Sequence, residues 1–223
     1  MATSQRENDR DFAHLRELMV DRHVAARGVT DPRVLQAMRE VPRHLFVPTL
    51  VAAKAYGPGA LPIGAKQTIS QPYIVARMLE LLELRGTEKV LEVGTGTGYQ
   101  AVVLSKLCAK VFSIERVNEL ALRAAELIRE LKIYNASVKV FDGTYGWSDQ
   151  APFDRIIVAA AAPGVPEPLV QQLARGGKMV IPIGPEGKQR LARVTRVGTG
   201  IQAEDCGAAE FVPLVGKFGW QGS

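Results

Sequence analysis

The chain has 223 residues, 47% hydrophobic and 23% charged, which is the composition of one globular domain with a full core. Its 28 basic and 23 acidic residues leave a formal charge of +5, but the two signs are interleaved, which argues against a nucleic-acid groove or a polybasic membrane anchor. The two cysteines lie far apart without metal-ligand spacing, so we expect neither a disulfide scaffold nor a metal site. Residues 1–10 lack the apolar segment of a secretory signal, and no apolar stretch of the sequence is long enough to span a membrane. We therefore predict a cytoplasmic protein.

Two short helices are predicted before residue 45. Apolar side chains between Phe12 and Ala26 share one helical face, and Gly28 is placed to end that helix. Asp31 and Pro32 then supply an N-cap and a first helical position, and a second apolar stripe follows them.

A long connection rich in Pro, Gly and Ala runs over residues 42–71. Connections of this length are often lids or binding loops, so we predict that this one closes over a ligand and offers Ser70 to it. An amphipathic helix is predicted from Pro72 onward. Ser70 or Gln71 therefore has a second interpretation, as the N-cap of that helix, and both interpretations stay open.

From Gly86 onward, strand-like and helix-like segments alternate, which predicts an α/β fold with a Rossmann-like, doubly wound and mostly parallel sheet. Short strand-like runs separated by glycines near the C-terminus suggest a terminal antiparallel pair. The predicted strands are 89–93, 110–114, 138–141, 154–159 and 178–183, the helices between them are 99–107, 118–131 and 166–173, and the terminal runs are 190–197, 200–203 and 211–215.

The first of these strands ends in a turn with three alternating glycines, Gly94-Thr95-Gly96-Thr97-Gly98. A strand, a glycine-rich turn and a helix in this order are typical of a nucleotide-binding unit, because glycine permits positive φ and close approach of a ligand. Such turns also occur with no ligand, so the motif alone is a weak signal.

Acidic residues near this turn strengthen the nucleotide interpretation. Glu115 ends the second strand about twenty residues beyond the first glycine, where a carboxylate can accept both ribose hydroxyls of a nucleoside. Asp142, followed by Gly143, ends the third strand and is predicted to reach an adenine amino group. Both acidic residues also have an alternative interpretation, in which they stabilise a turn and bind no ligand.

The choice between two nucleoside cofactors depends on Glu92, inside the first strand. A carboxylate there would repel the pyrophosphate of a dinucleotide, but it would attract the ammonium and sulfonium groups of S-adenosylmethionine. Methyl transfer is therefore favoured over hydride transfer.

Five segments of the chain resemble the protein-L-isoaspartate O-methyltransferases, and the resemblance extends over residues 22–220. The glycine turn is shared with most S-adenosylmethionine-dependent methyltransferases, whereas the Thr-Ile-Ser-Gln-Pro loop together with the four-alanine strand end is specific to this family. The five segments are Thr68-Ile69-Ser70-Gln71-Pro72, residues 90–98, Asp142-Gly143-Thr144 with Gly146-Trp147, residues 153–163, and Phe211-Val212-Pro213-Leu214.

The resemblance implies a class I methyltransferase-like fold and repair of damaged proteins. Such an enzyme methylates the free α-carboxyl of L-isoaspartyl residues in proteins and peptides and leaves S-adenosylhomocysteine; the ester closes to a succinimide, whose hydrolysis returns some normal aspartate. Ser70 matches the family's active-site serine, which we expect to orient the acceptor carboxylate rather than to act as a nucleophile. The predicted cofactor-binding residues are Gln67, Thr68, Glu92, Gly94, Thr95, Gly96, Glu115, Arg116, Asp142 and Gly143.

We predict a single domain over residues 1–223, with N-terminal helices and the active-site loop at 9–85 and the cofactor-binding core at 86–223. A monomer is expected, with isoaspartyl proteins and peptides as substrates and neither nucleic acid nor membrane as a partner. Two other functions stay open. One is a methyltransferase of similar fold that acts on a small-molecule acid, and the other is a non-catalytic nucleoside-binding protein.

Three positions depart from the family pattern. The segment Tyr56-Gly57-Pro58-Gly59 lacks the acidic residue that often follows this tyrosine, and Val215 stands where some relatives carry a hydroxyl, so it receives no site role. Lys66 occupies a place where glycine is common. It changes the expected path of the loop, or its charge helps to attract a carboxylate.

Overall fold

A computed structural model describes the backbone of residues 2–221 and the side chains of residues 11–221. The chain divides into two compact units, Met1–Glu80 and Leu81–Ser223. The single-domain organisation stays a prediction. In the described part of the chain, no helix is long and apolar enough to cross a membrane.

Helices dominate the N-terminal unit, and the two predicted before residue 45 are confirmed. Helix α1 spans Ala2–Met19. A π-helical segment (Val20–Val24) and a 3-10 helical turn (Ala25–Arg27) continue it to Gly28, whose φ of 97° ends the helix. Helix α2 spans Pro32–Glu40, and the Asp31 side chain accepts the amide hydrogens of its first turn. Helix α3 spans Pro72–Leu82, as the apolar spacing predicts.

The long connection between α2 and α3 contains a hairpin that the sequence pattern did not predict. Its antiparallel strands are β1 (Leu61–Gly64) and β2 (Gln67–Ile69). The turn between them is formed by Ala65 and Lys66, both with positive φ, 48° and 55°. Turns of this kind normally contain asparagine or glycine, so this pair gives no sequence signal of a hairpin. The conformation of Lys66 also explains why glycine suits its position.

Replacing Lys66 with glycine is expected to raise the free energy of unfolding by about 1 kcal/mol. A residue with a Cβ is strained in the left-handed region by roughly 1–2 kcal/mol, and glycine removes that strain at some cost in backbone entropy. Urea unfolding measures the change. Lys54→Gly is the control, because exposed Lys54 ends a short 3-10 helix (Thr49–Lys54) without positive φ, and there glycine is expected to lower stability. Equal losses in both variants would contradict the strain at Lys66.

A seven-stranded sheet forms the centre of the C-terminal unit. Its strands in chain order are β3 (Lys89–Val93), β4 (Lys110–Glu115), β5 (Ala136–Val140), β6 (Phe153–Val158), β7 (Leu173–Ile183), β8 (Arg190–Val197) and β9 (Gly200–Ala208). The helices are α4 (Tyr99–Ser105), α5 (Asn118–Glu130) and α6 (Glu167–Gln172). Strands β3 to β7 pair in parallel and β8 and β9 are antiparallel, which confirms the predicted sheet.

The strand order, β5-β4-β3-β6-β7-β8-β9, reverses direction at β3. From β3 the chain moves outward to β4 and β5, then returns to pair β6 with the other side of β3. Residues at the centre of this pair, such as Leu91 and Ile156, are fully buried, as expected for a parallel sheet covered on both faces. Ligands of open α/β sheets bind at the carboxyl ends of the strands where the order reverses, which is where the glycine turn begins.

The predicted terminal strand at residues 211–215 is wrong. Instead of a ladder, Pro213 forms an isolated bridge with Ala161, just beyond β6. Ala161 donates its N–H to the Val212 carbonyl, and Leu214 donates its N–H to the Ala161 carbonyl. Pro213 has no N–H and therefore donates no hydrogen bond to a ladder itself. This segment is therefore attached to the carboxyl end of β6.

Candidate functional site

The glycine turn follows β3 and takes a backbone path that only glycine adopts without strain. Gly94, Gly96 and Gly98 have φ values of 94°, 54° and 85°. The N–H groups of Gly94 and Thr95 both donate to the Ile114 carbonyl, at 2.8 and 3.2 Å. The turn is thereby tied to the end of β4.

The Glu115 carboxylate lies at the end of β4 and binds the same turn. Its Oε2 accepts the Gly96 N–H at 2.9 Å, and its Oε1 accepts the Val117 N–H at 2.8 Å. Each carboxylate oxygen has about two acceptor positions, so each keeps one for a ribose hydroxyl. The structure brings Glu115 and Gly96 together, and the ribose contact stays a prediction.

Glu92 is fully buried in β3 and is linked to the turn through two hydroxyl groups. Its Oε2 accepts a hydrogen bond from Ser113 Oγ at 2.5 Å, and Ser113 Oγ lies 2.5 Å from Thr95 Oγ1. The pKa of Glu92 is raised to about 8, because the effect of burial exceeds the opposing effects of the Ser113 hydrogen bond and the Gln100 carboxamide. Among the described residues, the second carboxyl oxygen, Oε1, is buried without a hydrogen-bond partner.

The shifted pKa of Glu92 predicts a pH-dependent stability. The folded protein keeps a proton on this carboxyl up to about pH 8, whereas the unfolded chain releases it near 4.5. Its contribution to stability is therefore full below pH 4.5 and is lost as the pH rises to about 8. From this group alone, the free energy of unfolding is expected to fall by up to about 1.4 kcal/mol per pH unit.

Urea unfolding between pH 5 and pH 8 measures this contribution. Glu92→Gln is expected to lose less stability than the parent over this range, because the carboxamide is neutral at every pH. Glu119→Gln serves as the control, since the Glu119 side chain is 66% exposed. Parallel curves for the parent and Glu92→Gln would contradict the raised pKa.

Asp142 follows β5 and holds the C-terminal segment of the chain. Its Oδ1 accepts hydrogen bonds from the N–H and the hydroxyl of Thr144, at 2.9 and 2.7 Å, and its Oδ2 accepts the Lys217 N–H at 2.9 Å. The adjacent Gly143 packs so closely on β3 that a Cβ there would overlap the Val93 side chain. The structure thus shows the turn role that the sequence also allowed for Asp142, and the adenine contact stays a prediction.

Ser70 lies in the N-terminal unit, between β2 and α3, and is half-buried. Its carbonyl accepts a hydrogen bond from Arg43 Nη2 at 2.6 Å, and its hydroxyl bonds to no residue that the structure describes. The first amides of α3 donate to the Gln71 carbonyl, and the Gln71 side chain accepts from Arg27. Neither side chain therefore caps α3, which removes that alternative for Ser70.

The predicted site residues fall into the two units. The C-terminal unit contains one group at the carboxyl ends of β3, β4 and β5, whereas the N-terminal unit contains a second group on β2 and just after it. The first group is Glu92, Gly94, Thr95, Gly96, Glu115, Arg116, Asp142 and Gly143, with Arg116 exposed, and the second is Gln67, Thr68 and Ser70.

Sequence reasoning missed four residues that contribute to these groups. Ser113 sits opposite Glu92 in the register of β3 and β4, a pairing that is visible only once the register is known. Arg43 is fully buried, although arginine usually indicates an exposed position. Lys217 and Phe218 bind Asp142 and Thr144 from far along the chain, and no local motif marks that contact.

Comparison with known proteins gives a consistent family. The family model described as protein-L-isoaspartate(D-aspartate) O-methyltransferase matches residues 14–219. A curated protein-L-isoaspartate O-methyltransferase from Syntrophus aciditrophicus is 49% identical over 214 residues, which cover 95% of this chain and 98% of the relative. One from Geobacter metallireducens is 51% identical over 211 residues, or 94% of this chain and 98% of the relative.

Solved structures show the same similarity. A protein-L-isoaspartate O-methyltransferase structure matches with a TM-score of 0.83 and 27% identity, covering 92% of this chain and 67% of the other. A Plasmodium falciparum structure, described as a protein-L-isoaspartate O-methyltransferase in complex with S-adenosyl-L-homocysteine, matches with a TM-score of 0.75 and 26% identity, covering 88% of this chain and 96% of the other.

Proposed function

The chain belongs to the protein-L-isoaspartate(D-aspartate) O-methyltransferase family, and from this membership we propose that it methylates the free α-carboxyl of L-isoaspartyl residues in damaged proteins and peptides. S-Adenosylmethionine is the methyl donor and S-adenosylhomocysteine the product. The observation that carries the proposal is 49% identity to a named relative over 95% of this chain. The methyl ester formed in this way leads through a succinimide back to aspartate.

The residues of the C-terminal unit fit this cofactor. S-Adenosylmethionine supplies a methyl group made electrophilic by a positively charged sulfur. Glycines at positive φ leave room at the strand end, and Glu115 keeps acceptor positions for two ribose hydroxyls. The buried Glu92 Oε1 has no hydrogen-bond partner among the described residues, and a cationic ligand group beside it would favour the ionised carboxylate and lower the raised pKa of Glu92. The proposed cofactor-binding residues are Gln67, Thr68, Glu92, Gly94, Thr95, Gly96, Glu115, Arg116, Asp142 and Gly143.

Ser70 is the proposed catalytic residue, and its task is orientation. The acceptor carboxylate is ionised at neutral pH, because its pKa lies near 4, so no general base is needed. The Ser70 hydroxyl, which bonds to no described residue, donates a hydrogen bond to one carboxylate oxygen and aligns the other with the methyl group. The serine stays unmodified throughout.

Its setting in the cell is proposed from composition and thiol chemistry. Cys108 is buried and forms no disulfide, and burial raises the pKa of its thiol to about 12. An unreactive thiol of this kind suits a reducing cytoplasm. We propose a cytoplasmic monomer whose macromolecular partners are isoaspartyl proteins and peptides, with neither nucleic acid nor membrane among them.

Transfer of labelled methyl groups to a synthetic peptide tests the activity. The peptide with an L-isoaspartyl residue is expected to gain a base-labile methyl ester, and the matching peptide with normal aspartate is expected to gain almost none. Equal labelling of the two would contradict the proposal. Turnover of a free small-molecule acid without peptide labelling would favour the small-molecule alternative, and cofactor binding in calorimetry without any ester would favour a non-catalytic protein.

A further inference from the structure

Arg43 is a fully buried arginine that binds both ends of one loop. Its Nε donates to the Ala55 carbonyl at 2.8 Å, and its Nη2 donates to the Ser70 carbonyl at 2.6 Å. These two carbonyls bracket residues 55–70, which contain the β1–β2 hairpin. One side chain therefore fixes where this loop leaves and rejoins the rest of the N-terminal unit.

The chemistry of the guanidinium makes this contact specific. Its Nε and Nη2 belong to one rigid planar group, so the two N–H directions and their spacing are fixed. A lysine has a single flexible ammonium and lacks that fork. Burying a guanidinium is also costly unless its N–H groups are hydrogen-bonded. Moving either carbonyl away would leave a buried N–H group without that acceptor, so the cost of burial keeps both carbonyls in place.

The backbone of Ser70 is held from two sides. Its own carbonyl is bound by Arg43, and the next carbonyl, that of Gln71, accepts the first amide hydrogens of α3. The Ser70 hydroxyl makes no hydrogen bond to a described residue, so its direction depends on the backbone that carries it. By restraining this backbone, Arg43 restrains the direction of the Cα–Cβ bond from which the hydroxyl projects.

We propose that Arg43 is a positioning residue for methyl transfer, which holds the backbone that carries the Ser70 hydroxyl by binding the carbonyls of Ala55 and Ser70. The inference rests on the proposed function in one respect, that the Ser70 hydroxyl orients the acceptor carboxylate. The binding of residues 55–70 by Arg43 is independent of that function.

Steady-state kinetics with an isoaspartyl peptide give the first test. Arg43→Lys keeps the charge and removes the fork, and it is expected to lower kcat about 100-fold, the size of loss that a misplacement of roughly 1 Å produces. Arg33→Lys, the same change at a side chain that is 48% exposed in the same unit, is expected to leave kcat unchanged.

A double-mutant cycle separates positioning from a general loss of stability. If Arg43 acts through Ser70, the double variant Arg43→Lys/Ser70→Ala has the kcat of Ser70→Ala to within about twofold, because the hydroxyl to be positioned is gone. Losses that multiply in the double variant overturn the inference. Should Arg43→Lys fail to fold, Arg43→Gln takes its place in the same cycle, since it also lacks the fork.

Hydrogen exchange measured by mass spectrometry tests the contact between Arg43 and residues 55–70 without any assay of activity. In Arg43→Lys, amides of residues 55–70 are expected to exchange at least about tenfold faster, with exchange in the parallel strands of the C-terminal unit unchanged. Unchanged exchange in residues 55–70 overturns the inference. A parent protein that leaves the isoaspartyl peptide unlabelled overturns the proposed function instead, and the exchange result then still decides whether Arg43 holds the loop.

Discussion

Replacing Glu115 with alanine is expected to weaken the binding of S-adenosylhomocysteine about 1000-fold, as measured by isothermal titration calorimetry. The reason is the loss of the two proposed hydrogen bonds from ribose hydroxyls to this carboxylate, each worth about 1.5–3 kcal/mol. Together they amount to about 4 kcal/mol, which corresponds to a factor of about 1000 in Kd. The truncation also frees the amides of Gly96 and Val117, which loosens the glycine turn.

A ligand series separates the ribose contact from the anchoring of the turn. An analogue of S-adenosylhomocysteine without the 2′ and 3′ hydroxyls is expected to bind the parent weakly, and to bind Glu115→Ala as weakly as the unmodified ligand does. Glu119→Ala is the control, because this exposed side chain lies in the first turn of α5, close in sequence to Glu115. A Kd for Glu115→Ala within about threefold of the parent value, on a scale where 1.4 kcal/mol is tenfold, would remove Glu115 from the cofactor site.

The fold and the group of residues at the carboxyl ends of β3, β4 and β5 are predictable because their sequence signals are local. Strand-like and helix-like segments that alternate along the chain predict a parallel sheet. The residues that end successive parallel strands then lie at the same edge of the sheet, whatever the detailed packing. For this reason Gly96 and Glu115 were predicted close to each other, and the structure joins them by a hydrogen bond of 2.9 Å.

The contacts that the sequence did not reveal connect distant parts of the chain or contradict local preferences. Arg43 reaches a carbonyl 27 positions away, and Asp142 reaches an amide 75 positions away. The β1–β2 hairpin turns through Ala65 and Lys66, which have the wrong propensity for their left-handed conformation, so pairing of the flanking strands overrides the local preference. Long-range hydrogen bonds of this kind have no spacing rule, and only the folded backbone reveals them.

Replacing Ser70 with alanine is expected to lower kcat for an isoaspartyl peptide about 100-fold, with a smaller change in KM. The proposed task of the hydroxyl is to orient the acceptor carboxylate, and a misplacement of roughly 1 Å typically costs about 100-fold in rate. The variant is expected to stay folded, since the Ser70 contact with Arg43 is made by the backbone carbonyl, which alanine keeps.

Two further variants decide whether the hydroxyl itself is responsible. Ser70→Thr keeps a hydroxyl on the same atom and is expected to retain more kcat than Ser70→Ala, whereas Ser148→Ala, at an exposed serine, is expected to match the parent. S-Adenosylhomocysteine binding by Ser70→Ala is expected to stay within about twofold of the parent, because the proposed hydrogen bond forms with the acceptor peptide rather than with the cofactor. If Ser70→Ala retained full kcat, positioning of the acceptor would have to come from backbone groups of residues 67–71 rather than from this side chain.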